Sequence, residues 1–495
     1  MNEARLLLAA VRQGDCTPPG GEGARPEHDA QTPPAEPSQG PRRSTVLRRE
    51  HEISGSGPAY GSDIAAVGTA GDVADTSKFL PEAPETLDET GLDEVQLSAL
   101  ILKYLLSTPV ASGATISRQL ALPFPIVAQQ ILLLKAERLV AVKSASQLQD
   151  LVYELTPPGK EQALSHLDRC TYCGPAPVPL DHYAKSVSAQ SLSRCTPTFR
   201  DLQRAFADIT LSDEMLLRLA RAIYYGKGLF LHGLPGNGKT SMAERVTKAY
   251  GQTIWIPQTI SAFGEIIQLY DPSLHEEVPL ASGKSVAPGR QMDRRWVRIR
   301  RPTIVVGGEL TLDNLEITVR AESGLSEAPI QLKSNCGTLV VDDFGRQRIS
   351  PTDLLNRWIV PLEKRYDFLN LKNGRKTRVP FDQFVVFSTN LEPKDLVDEA
   401  FLRRIPYKIE AQNPSEAEFR ELFLSTAQRM GISVCPDALE HLIDQHYRSS
   451  GRSFRFCHPR DLLHQVSVYC AVLGAAPTMT REAVDAAAGD YFCVF

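Results

Sequence analysis

The sequence of 495 residues lacks any uncharged apolar run that approaches the roughly 20 residues needed to cross a bilayer. It has no signal-peptide pattern, and Glu3 places an acid near its start. Nine cysteines, an odd number scattered along the chain, do not form the pattern of a disulfide framework. Strong net charge is also missing, because 54 basic side chains face 59 acidic ones and leave a balance of −5. These absences exclude a membrane span and a globally basic coat protein for nucleic acid, and they predict a cytoplasmic protein with free thiols.

The small net charge is distributed unevenly, which predicts several domains in a chain of this length. Residues 1–90 carry 8 basic and 15 acidic side chains, together with 10 of the 35 prolines and 10 of the 33 glycines. A segment of that composition buries too little apolar surface to offset the entropy of ordering it. We therefore expect residues 1–90 to be a disordered acidic tail.

Residues 91–167 show a compact helical pattern followed by a two-strand ribbon. Three helices, a ribbon and the closing run Tyr153-Glu154-Leu155-Thr156-Pro157-Pro158-Gly159 resemble a winged-helix domain, a relative of the helix-turn-helix that is often used on DNA. The stretch holds 6 basic and 6 acidic residues, and its third helix opens without Arg or Lys. Since phosphate neutralisation supplies most non-specific DNA affinity, protein docking is favoured here and DNA binding stays open.

A proline-rich connector is predicted for residues 168–197, because Pro175, Pro177 and Pro179 disfavour helix and central strand. Cys170 and Cys173 precede these prolines in a CxxC pair, which is half of a zinc site. The other half is not found at a typical spacing. Both a metal site and incidental thiols are kept as interpretations.

The most informative stretch is a glycine-rich loop between a predicted strand and a predicted helix. Glycines let backbone N–H groups curl around phosphate oxygens, and the helix N-terminus adds partial positive charge. Lys239 is expected to reach the β- and γ-phosphates, and the Thr240 hydroxyl to complete the shell of a Mg²⁺ ion. The predicted binding residues are Gly233, Leu234, Pro235, Gly236, Asn237, Gly238, Lys239, Thr240 and Ser241.

Two further apolar strands end in polar side chains. Asp342 and Asp343 follow Thr338–Val341, and Asn390 follows Phe384–Thr389. At the carboxyl end of its strand, Asp342 is expected to hold Mg²⁺, while Asp343 polarises the attacking water. Asn390 is expected to position that water or to touch the γ-phosphate.

The order of these motifs, with Leu402-Arg403-Arg404 before a last strand, resembles an AAA+ ATPase of the P-loop class. The resemblance covers Thr198 to the C-terminus. It implies an α/β fold, a doubly wound parallel sheet in residues 198–410 followed by a helical lid in residues 411–495. It also implies ATP and Mg²⁺ as cofactors and a homo-oligomeric ring, usually a hexamer, with ATP at subunit interfaces.

By the same resemblance, three arginines and one amide receive roles. Asn390 matches sensor 1, and Arg403 or Arg404 matches an arginine finger that reaches the γ-phosphate of the neighbouring subunit. Arg460, in His458-Pro459-Arg460-Asp461, looks like sensor 2 and would fold back on the nucleotide. A solvated helix end and an ordinary capping sequence are the other interpretations of these arginines.

The chain departs from the family in its second acid, which is Asp343 where Glu is usual. The shorter side chain displaces the carboxylate by roughly an ångström, a shift that costs on the order of 100-fold in rate. This favours a slow switch, and it leaves open a nucleotide-bound scaffold with negligible hydrolysis.

A second departure is an insert at about residues 271–335. The eighteen residues 284–301 carry a balance of +6 and include Trp296, and Thr303–Leu312 is predicted to form a hairpin around Gly307-Gly308. Nucleic acid, an acidic client or acidic tail, and an adjacent subunit are all candidate partners for these arginines. The runs Leu332–Leu339 and Leu354–Trp358 are similar to the AAA+ clade of MoxR-type chaperones and bacterial enhancer-binding activators.

The sequence thus predicts a Mg²⁺-dependent ATPase that remodels or switches a protein partner. The second hypothesis is a DNA-binding regulatory or transport ATPase that acts on nucleic acid.

Overall fold

The computed structural model describes residues 79–145, 150–251, 253–279, 291–320, 323–396 and 399–492. Most of the predicted tail, residues 1–78, lies outside the described residues. Residues 79–90 differ from the prediction, because they have defined contacts. The Phe79 ring lies 5.3 Å from that of Trp296, Glu82 forms a β-bridge with Met292, and helix α1 spans Leu87–Thr90.

An N-terminal unit follows, built around a three-stranded antiparallel sheet with strand order β1-β3-β2. Asp93 caps its first long helix through a reciprocal capping box with Gln96. Leu97, Ile116 and Val127 lie in its apolar core. Its elements are α2 (Glu94–Ser107), β1 (Ala111–Ser112), α3 (Gly113–Leu120), α4 (Phe124–Ala136), β2 (Val140–Ala145), β3 (Leu151–Leu155) and α5 (Pro157–Arg169).

The segment predicted as a linker contains regular structure instead. Strand β4 (Val178–Pro179) leads into helix α6 (Leu180–Gln190), because Pro179 stands at the N-cap, where a missing N–H costs nothing. The buried Tyr183 hydroxyl donates to the Leu332 carbonyl over 3.0 Å. The Gln190 side chain makes two hydrogen bonds to the backbone of Trp255. Residues 168–197 are therefore packed into the fold.

The central element is a five-stranded, all-parallel sheet, which confirms the predicted α/β class. Its strands lie side by side in the order β10 (Thr303–Val306), β13 (Thr338–Val341), β16 (Phe384–Thr389), β5 (Gly228–His232) and β17 (Tyr407–Glu410). The side chains of the inner strands alternate between two apolar cores: Leu229 and Leu231 face one, and Phe230 faces the other. Helices cover both faces, as a parallel sheet requires. The elements up to the third strand are α7 (Phe199–Ala205), α8 (Asp213–Tyr225), β5 (Gly228–His232), α9 (Lys239–Arg245), β6 (Thr253–Pro257), β7 (Thr259–Ala262), β8 (Glu265–Gln268), β9 (Trp296–Arg300), β10 (Thr303–Val306), β11 (Thr318–Val319), β12 (Ser326–Glu327), α10 (Ile330–Lys333) and β13 (Thr338–Val341).

The predicted hairpin at Thr303–Leu312 is wrong. Thr303–Val306 is the edge strand of the parallel sheet and pairs residue for residue with Thr338–Val341. Gly307 and Gly308 lead out of that strand, and Leu312 precedes a 3₁₀ turn at Asp313–Leu315. The additional strands lie on both sides of β10 in sequence. β6 pairs with β9, and a second sheet has the order β11-β12-β8-β7-β4.

Between β13 and the next strand of the central sheet in sequence, the chain forms a hairpin, β14 (Tyr366–Asn370) with β15 (Lys376–Pro380). It follows helix α11 (Pro351–Lys364), whose Trp358 is fully buried. The sheet is completed by β16 (Phe384–Thr389), α12 (Pro393–Leu396), α13 (Glu399–Leu402) and β17 (Tyr407–Glu410).

A C-terminal helical unit, residues 416–491, has its own apolar core around Phe419, Phe423 and Leu463. It contains a π-helix at Leu442–Arg448, a form that is rare in proteins. Its other elements are α14 (Glu416–Met430), β18 (Ser433–Val434), α15 (Pro436–His441), α16 (His458–Val472), β19 (Thr478–Met479) and α17 (Arg481–Tyr491). In the described ranges no single helix is long and apolar enough to cross a bilayer, although α3 and α4, bent by 117°, pass that test as a pair.

Candidate functional site

The glycine-rich loop joins β5 to α9 at the carboxyl edge of the parallel sheet. Gly233, Gly236 and Gly238 all have positive φ, at 131°, 85° and 72°. A Cβ on Gly233 would lie 2.7 Å from the Ala411 carbonyl oxygen, whereas the space beside Gly238 is open. The positive φ values and the close approach of Ala411 therefore require glycine in this loop. The space beside Gly238, at the N-terminus of α9, is large enough to admit a ligand group.

Lys239 extends back across this loop. Its Nζ donates to the carbonyls of Gly233 and Leu234 over 2.8 and 3.0 Å and to Oδ1 of Asn390 over 2.6 Å. Burial lowers the pKa of the Lys239 ammonium, and the carboxylates of Asp342 and Asp343 oppose that shift. The ammonium is thus held at the sheet edge among oxygen acceptors.

Thr240 and the two predicted acids meet at the same edge. The Thr240 hydroxyl donates to Oδ2 of Asp342 over 2.8 Å. Asp342 also accepts from the backbone N–H of Asp343, and Oδ1 of Asp343 accepts from Nδ2 of Asn390 over 3.2 Å. A hydroxyl beside carboxylates is the hard oxygen donor set that Mg²⁺ prefers, so these residues fit that ion.

Asp343 has a left-handed backbone, with φ of 48°, and its side chain is exposed. Left-handed backbone is uncommon outside glycine, although Asp tolerates it better than most residues. The turn is held by Gln347, whose Nε2 donates to the Asp342 carbonyl over 2.7 Å and whose Oε1 accepts from the Gly345 N–H. The sequence analysis did not identify Gln347, because no spacing rule marks a side chain that supports a turn.

Asn237 anchors the middle of the glycine loop. Its Nδ2 donates to the Ala411 carbonyl over 3.0 Å and to Oδ1 of Asn413 over 2.8 Å, and its own Oδ1 is buried with no hydrogen-bond partner among the described residues. The loop is thereby tied to the segment that leaves β17. Asn413 is a second residue that the sequence analysis missed.

The C-terminal helical unit contacts the glycine loop directly. Nη1 of Arg455 donates to the Pro235 carbonyl over 2.6 Å, and the Cys457 N–H donates to the Gly236 carbonyl over 2.9 Å. A Cβ on Gly236 would lie 2.5 Å from the Cys457 sulfur. Arg455 and Cys457 were not predicted, since a contact between residues 220 positions apart leaves no local signal.

A cavity of about 730 Å³ opens beside the loop. This volume falls in the range of small-molecule and cofactor sites. Arg460 borders it with its side chain 75% exposed and paired with Asp461 at 3.0 Å. Its wall is formed by the segment before α8, the loop, and the C-terminal helical unit, including Asp208, Ile209, Leu211, Met215, Gly236, Asn237, Gly238, Ser241, Asn413, Leu422, Met430, Phe456, Cys457 and Arg460.

The two predicted finger arginines are not part of this cluster. Arg403 is exposed, and its guanidinium bonds to none of the described residues. Nε of Arg404 lies 3.6 Å from Oε2 of Glu363. Neither is among the described residues that bond to Lys239, Thr240 or Asp342.

Several arginines of the basic insert have structural partners. Arg295 is buried, pairs with Asp293 at 2.8 Å and donates to the Thr90 carbonyl. The buried Arg301 donates to the carbonyls of Gln190 and Cys336. Arg300 pairs with Glu276, while Arg294 is exposed. The predicted contributions of Lys284 and Arg290 lie outside the described residues.

Cys170 and Cys173 are free thiols with intermediate burial, and burial raises the pKa of Cys173. In the part of the chain that the structure describes, they belong to no group of three metal-ligating side chains. One such group exists elsewhere, formed by His441, His446 and Asp485.

Comparison with known proteins gives a short match. The model of a domain of unknown function, DUF8689, matches residues 415–489, and no curated protein matches. NtrX from Brucella abortus is 14% identical, with a TM-score of 0.36 over 59% of this chain and 58% of its own. A RuvB mutant from Thermotoga maritima is 15% identical, with a TM-score of 0.32 over 61% of this chain and 72% of its own. This chain therefore spans less than two thirds of the NtrX chain.

Proposed function

We propose that this protein is a Mg²⁺-dependent ATP hydrolase of the AAA+ type. The observation that carries the proposal is the 2.8 Å contact between the Thr240 hydroxyl and Asp342, formed where the glycine loop enters α9. A hydroxyl after the loop lysine and a carboxylate at the end of a second parallel strand are the two protein ligands that P-loop enzymes offer to Mg²⁺. The five parallel strands supply the edge at which both meet.

Each residue has a distinct part in the proposed reaction. The loop N–H groups and Lys239 bind the β- and γ-phosphates, and Thr240 and Asp342 hold Mg²⁺. When bound, Mg²⁺ supplies neutralisation of the charge that develops on the transferred phosphoryl group. Asp343 polarises the attacking water, and Asn390, which contacts both Lys239 and Asp343, positions it.

ATP binding requires Lys239 to exchange partners. Its ammonium donates to two carbonyls of the loop that is proposed to surround the phosphates. Phosphate oxygens are stronger acceptors for the ammonium, because they carry negative charge and the two opposite charges attract each other. The nucleotide therefore replaces these bonds without leaving a buried amine unpaired.

The cavity beside the loop is proposed to hold the nucleoside. Ile209, Leu211 and Met215 provide apolar wall, and Arg460 lies at its border. Because Arg455 already binds the loop at Pro235, the C-terminal helical unit acts as a lid whose position depends on the nucleotide. Arg455 joins Arg460 as a proposed sensor of the bound state.

We propose a homo-oligomeric ring, with a hexamer favoured. The exposed guanidinium of Arg403 supports an arginine finger that acts across an interface. A finger supplied in trans couples hydrolysis to assembly, because a lone subunit then lacks part of the transition-state stabilisation.

The N-terminal unit is proposed to be a winged-helix domain that recruits a protein partner. Phe124, Leu132 and Leu133 of α4 are exposed, and α4 carries a single basic residue, Lys135. Exposed apolar side chains suit a protein surface better than a phosphate backbone. Arg295 and Arg301 are buried and donate hydrogen bonds to backbone carbonyls within the fold. These two positive charges are therefore not exposed for binding to the phosphates of a nucleic acid.

ATP turnover by the purified full-length chain, measured as Mg²⁺ is titrated, tests the activity. No turnover at all Mg²⁺ concentrations would contradict the proposal.

Retention on duplex and single-stranded DNA at two salt concentrations, with and without ATP, tests the nature of the partner. We expect no ATP-dependent, salt-sensitive retention. Its observation would support the nucleic-acid alternative instead.

A further inference from the structure

Two histidines and one aspartate converge on the surface of the C-terminal helical unit. Nε2 of His441 lies 2.8 Å from Oδ1 of Asp485, and Nε2 of His446 lies 2.7 Å from the same oxygen. The three ligand atoms lie within 4.8 Å of one another. None of the three residues has a part in the proposed nucleotide chemistry, and all lie within the matched region 415–489.

The rare π-helix brings the two histidines together. In an α-helix, side chains five residues apart point about 140° away from each other, because each residue turns by about 100°. The π-helix Leu442–Arg448 begins directly after His441 and contains His446. Its hydrogen bonds join residues i and i+5, so residues five apart lie close to one turn apart and share a face. Without this helix form, His446 would not face Asp485 together with His441.

We propose that His441, His446 and Asp485 form a binding site for a divalent transition-metal ion, with Zn²⁺ as the preferred ion. Imidazole nitrogens and a carboxylate oxygen suit Zn²⁺ and its neighbours in the first transition series, whereas Mg²⁺ prefers oxygen ligands alone. Three protein ligands leave one tetrahedral position for water. The His side chains are 23% exposed and that of Asp485 is 52% exposed, so an ion has direct access from solvent.

The separations of the ligand atoms are slightly shorter than those in a zinc site. Ligand bonds of about 2.0–2.2 Å place neighbouring ligand atoms of a tetrahedral zinc site about 3.3 Å apart. The observed nitrogen–oxygen separations are about half an ångström shorter. Metal binding would therefore require these atoms to move apart by about half an ångström.

A bound ion would link two parts of the unit. It would fix α17, which carries Asp485, to the π-helix, which carries Tyr447. The Tyr447 hydroxyl lies 2.8 Å from Nδ1 of His458, one residue after the N–H that bonds to the glycine loop. The metal thereby stabilises the part of the unit that contacts the loop, although the site requires no nucleotide.

The test uses the full-length protein treated with a chelator and then titrated with Zn²⁺ against a chromophoric competitor. We expect one Zn²⁺ per chain, and an affinity at least about tenfold lower in His441→Gln, His446→Gln and Asp485→Asn, since even outer-shell changes cost 10–100-fold. Co²⁺ in place of Zn²⁺ should give a visible absorption band that each of these variants weakens. Glutamine keeps a hydrogen-bond donor for Asp485, which protects the fold.

Matched controls separate this site from others in the chain. His464→Gln changes an exposed histidine of the same unit and should bind Zn²⁺ as the parent does. Zn²⁺ should raise the thermal unfolding temperature of the parent and of His464→Gln, but not that of His446→Gln. Unchanged Zn²⁺ affinity in all three site variants would overturn the proposal. So would loss of binding in Cys170→Ser/Cys173→Ser or in Asp342→Asn alone.

Discussion

Nζ of Lys239 lies 2.6 Å from Oδ1 of Asn390, while Nδ2 of the same amide donates to Asp343. One amide therefore connects the proposed phosphate-binding cation to the proposed water-polarising acid. It lies at the end of β16, next to β5 in the sheet, so neighbouring strands fix the spacing of the two groups. Four predictions follow from this arrangement and from the contacts around it.

Lys239→Ala should lose ATP binding, because it removes the cation at the centre of the loop. A hydrogen bond to a charged group contributes about 1.5–3 kcal/mol, so affinity should fall by at least about tenfold. Equilibrium binding of a fluorescent ATP analogue measures this. Lys248→Ala, at a lysine that is 58% exposed and lies beyond α9, is the matched control and should bind as the parent does. Parental affinity in Lys239→Ala would contradict the site assignment.

Asp342→Asn should keep ATP binding and lose Mg²⁺-dependent turnover. The substitution preserves size but removes the negative charge that is proposed to hold the ion next to Thr240. We expect a fall in kcat of about 100-fold or more, on the scale of lost electrostatic stabilisation in active sites. Steady-state kinetics over a Mg²⁺ series measure it, and turnover at the parental rate would show that Asp342 is not a ligand.

The interface prediction concerns Arg403 and Arg404. If either acts in trans, a double alanine variant and Lys239→Ala should each be inactive, yet a mixture should recover part of the activity. Some interfaces would then combine an intact loop with an intact finger from the neighbour. Size-exclusion chromatography must show that mixed assemblies form. No recovery in such assemblies would count against the trans geometry.

The pH prediction concerns His458. Burial, with Arg455 and Arg452 nearby, lowers the pKa of His458 from 6.5 to about 4. The unfolded chain therefore binds a proton before the folded one does as the pH falls. The contribution of His458 to the free energy of unfolding is complete above about pH 6.5 and is lost progressively towards pH 4. Urea unfolding of the parent and of His458→Gln should diverge in this window, and parallel curves would refute the assignment.

The residues that the sequence predicts for the nucleotide edge lie at or after the ends of strands in the central sheet. Thr240, Asp342 and Asn390 come together because the carboxyl ends of parallel strands share one edge, a rule that needs no tertiary information. Arg455 and Gln347 obey no such rule. Their contacts depend on how a loop packs, which local residue patterns do not encode.

Two wrong predictions, the hairpin at Thr303–Leu312 and the linker at residues 168–197, arise because local sequence patterns are ambiguous there. Gly307-Gly308 after Thr303–Val306 is compatible with a hairpin turn and with the exit from a parallel strand, and only the pairing with β13 distinguishes them. The prolines before α6 lead to the prediction of a linker where the chain forms a helix. That helix is stabilised by tertiary contacts of Tyr183 and Gln190. Propensity is a weak guide when packing dominates.

Helix α6 also determines how far the protein can be truncated from its N-terminal side without loss of buried hydrogen bonds. Asn335 donates to the Tyr183 hydroxyl and accepts from the Asp382 N–H, so α6 supports the approach to both β13 and β16. A fragment that starts at residue 198 would lack this helix, so the bond of Asn335 to Tyr183 and the bond of the buried Trp255 N–H to Gln190 would both be lost. The smallest fragment with an intact nucleotide edge therefore begins at or before Val178, inside the stretch that a proline count marks as dispensable.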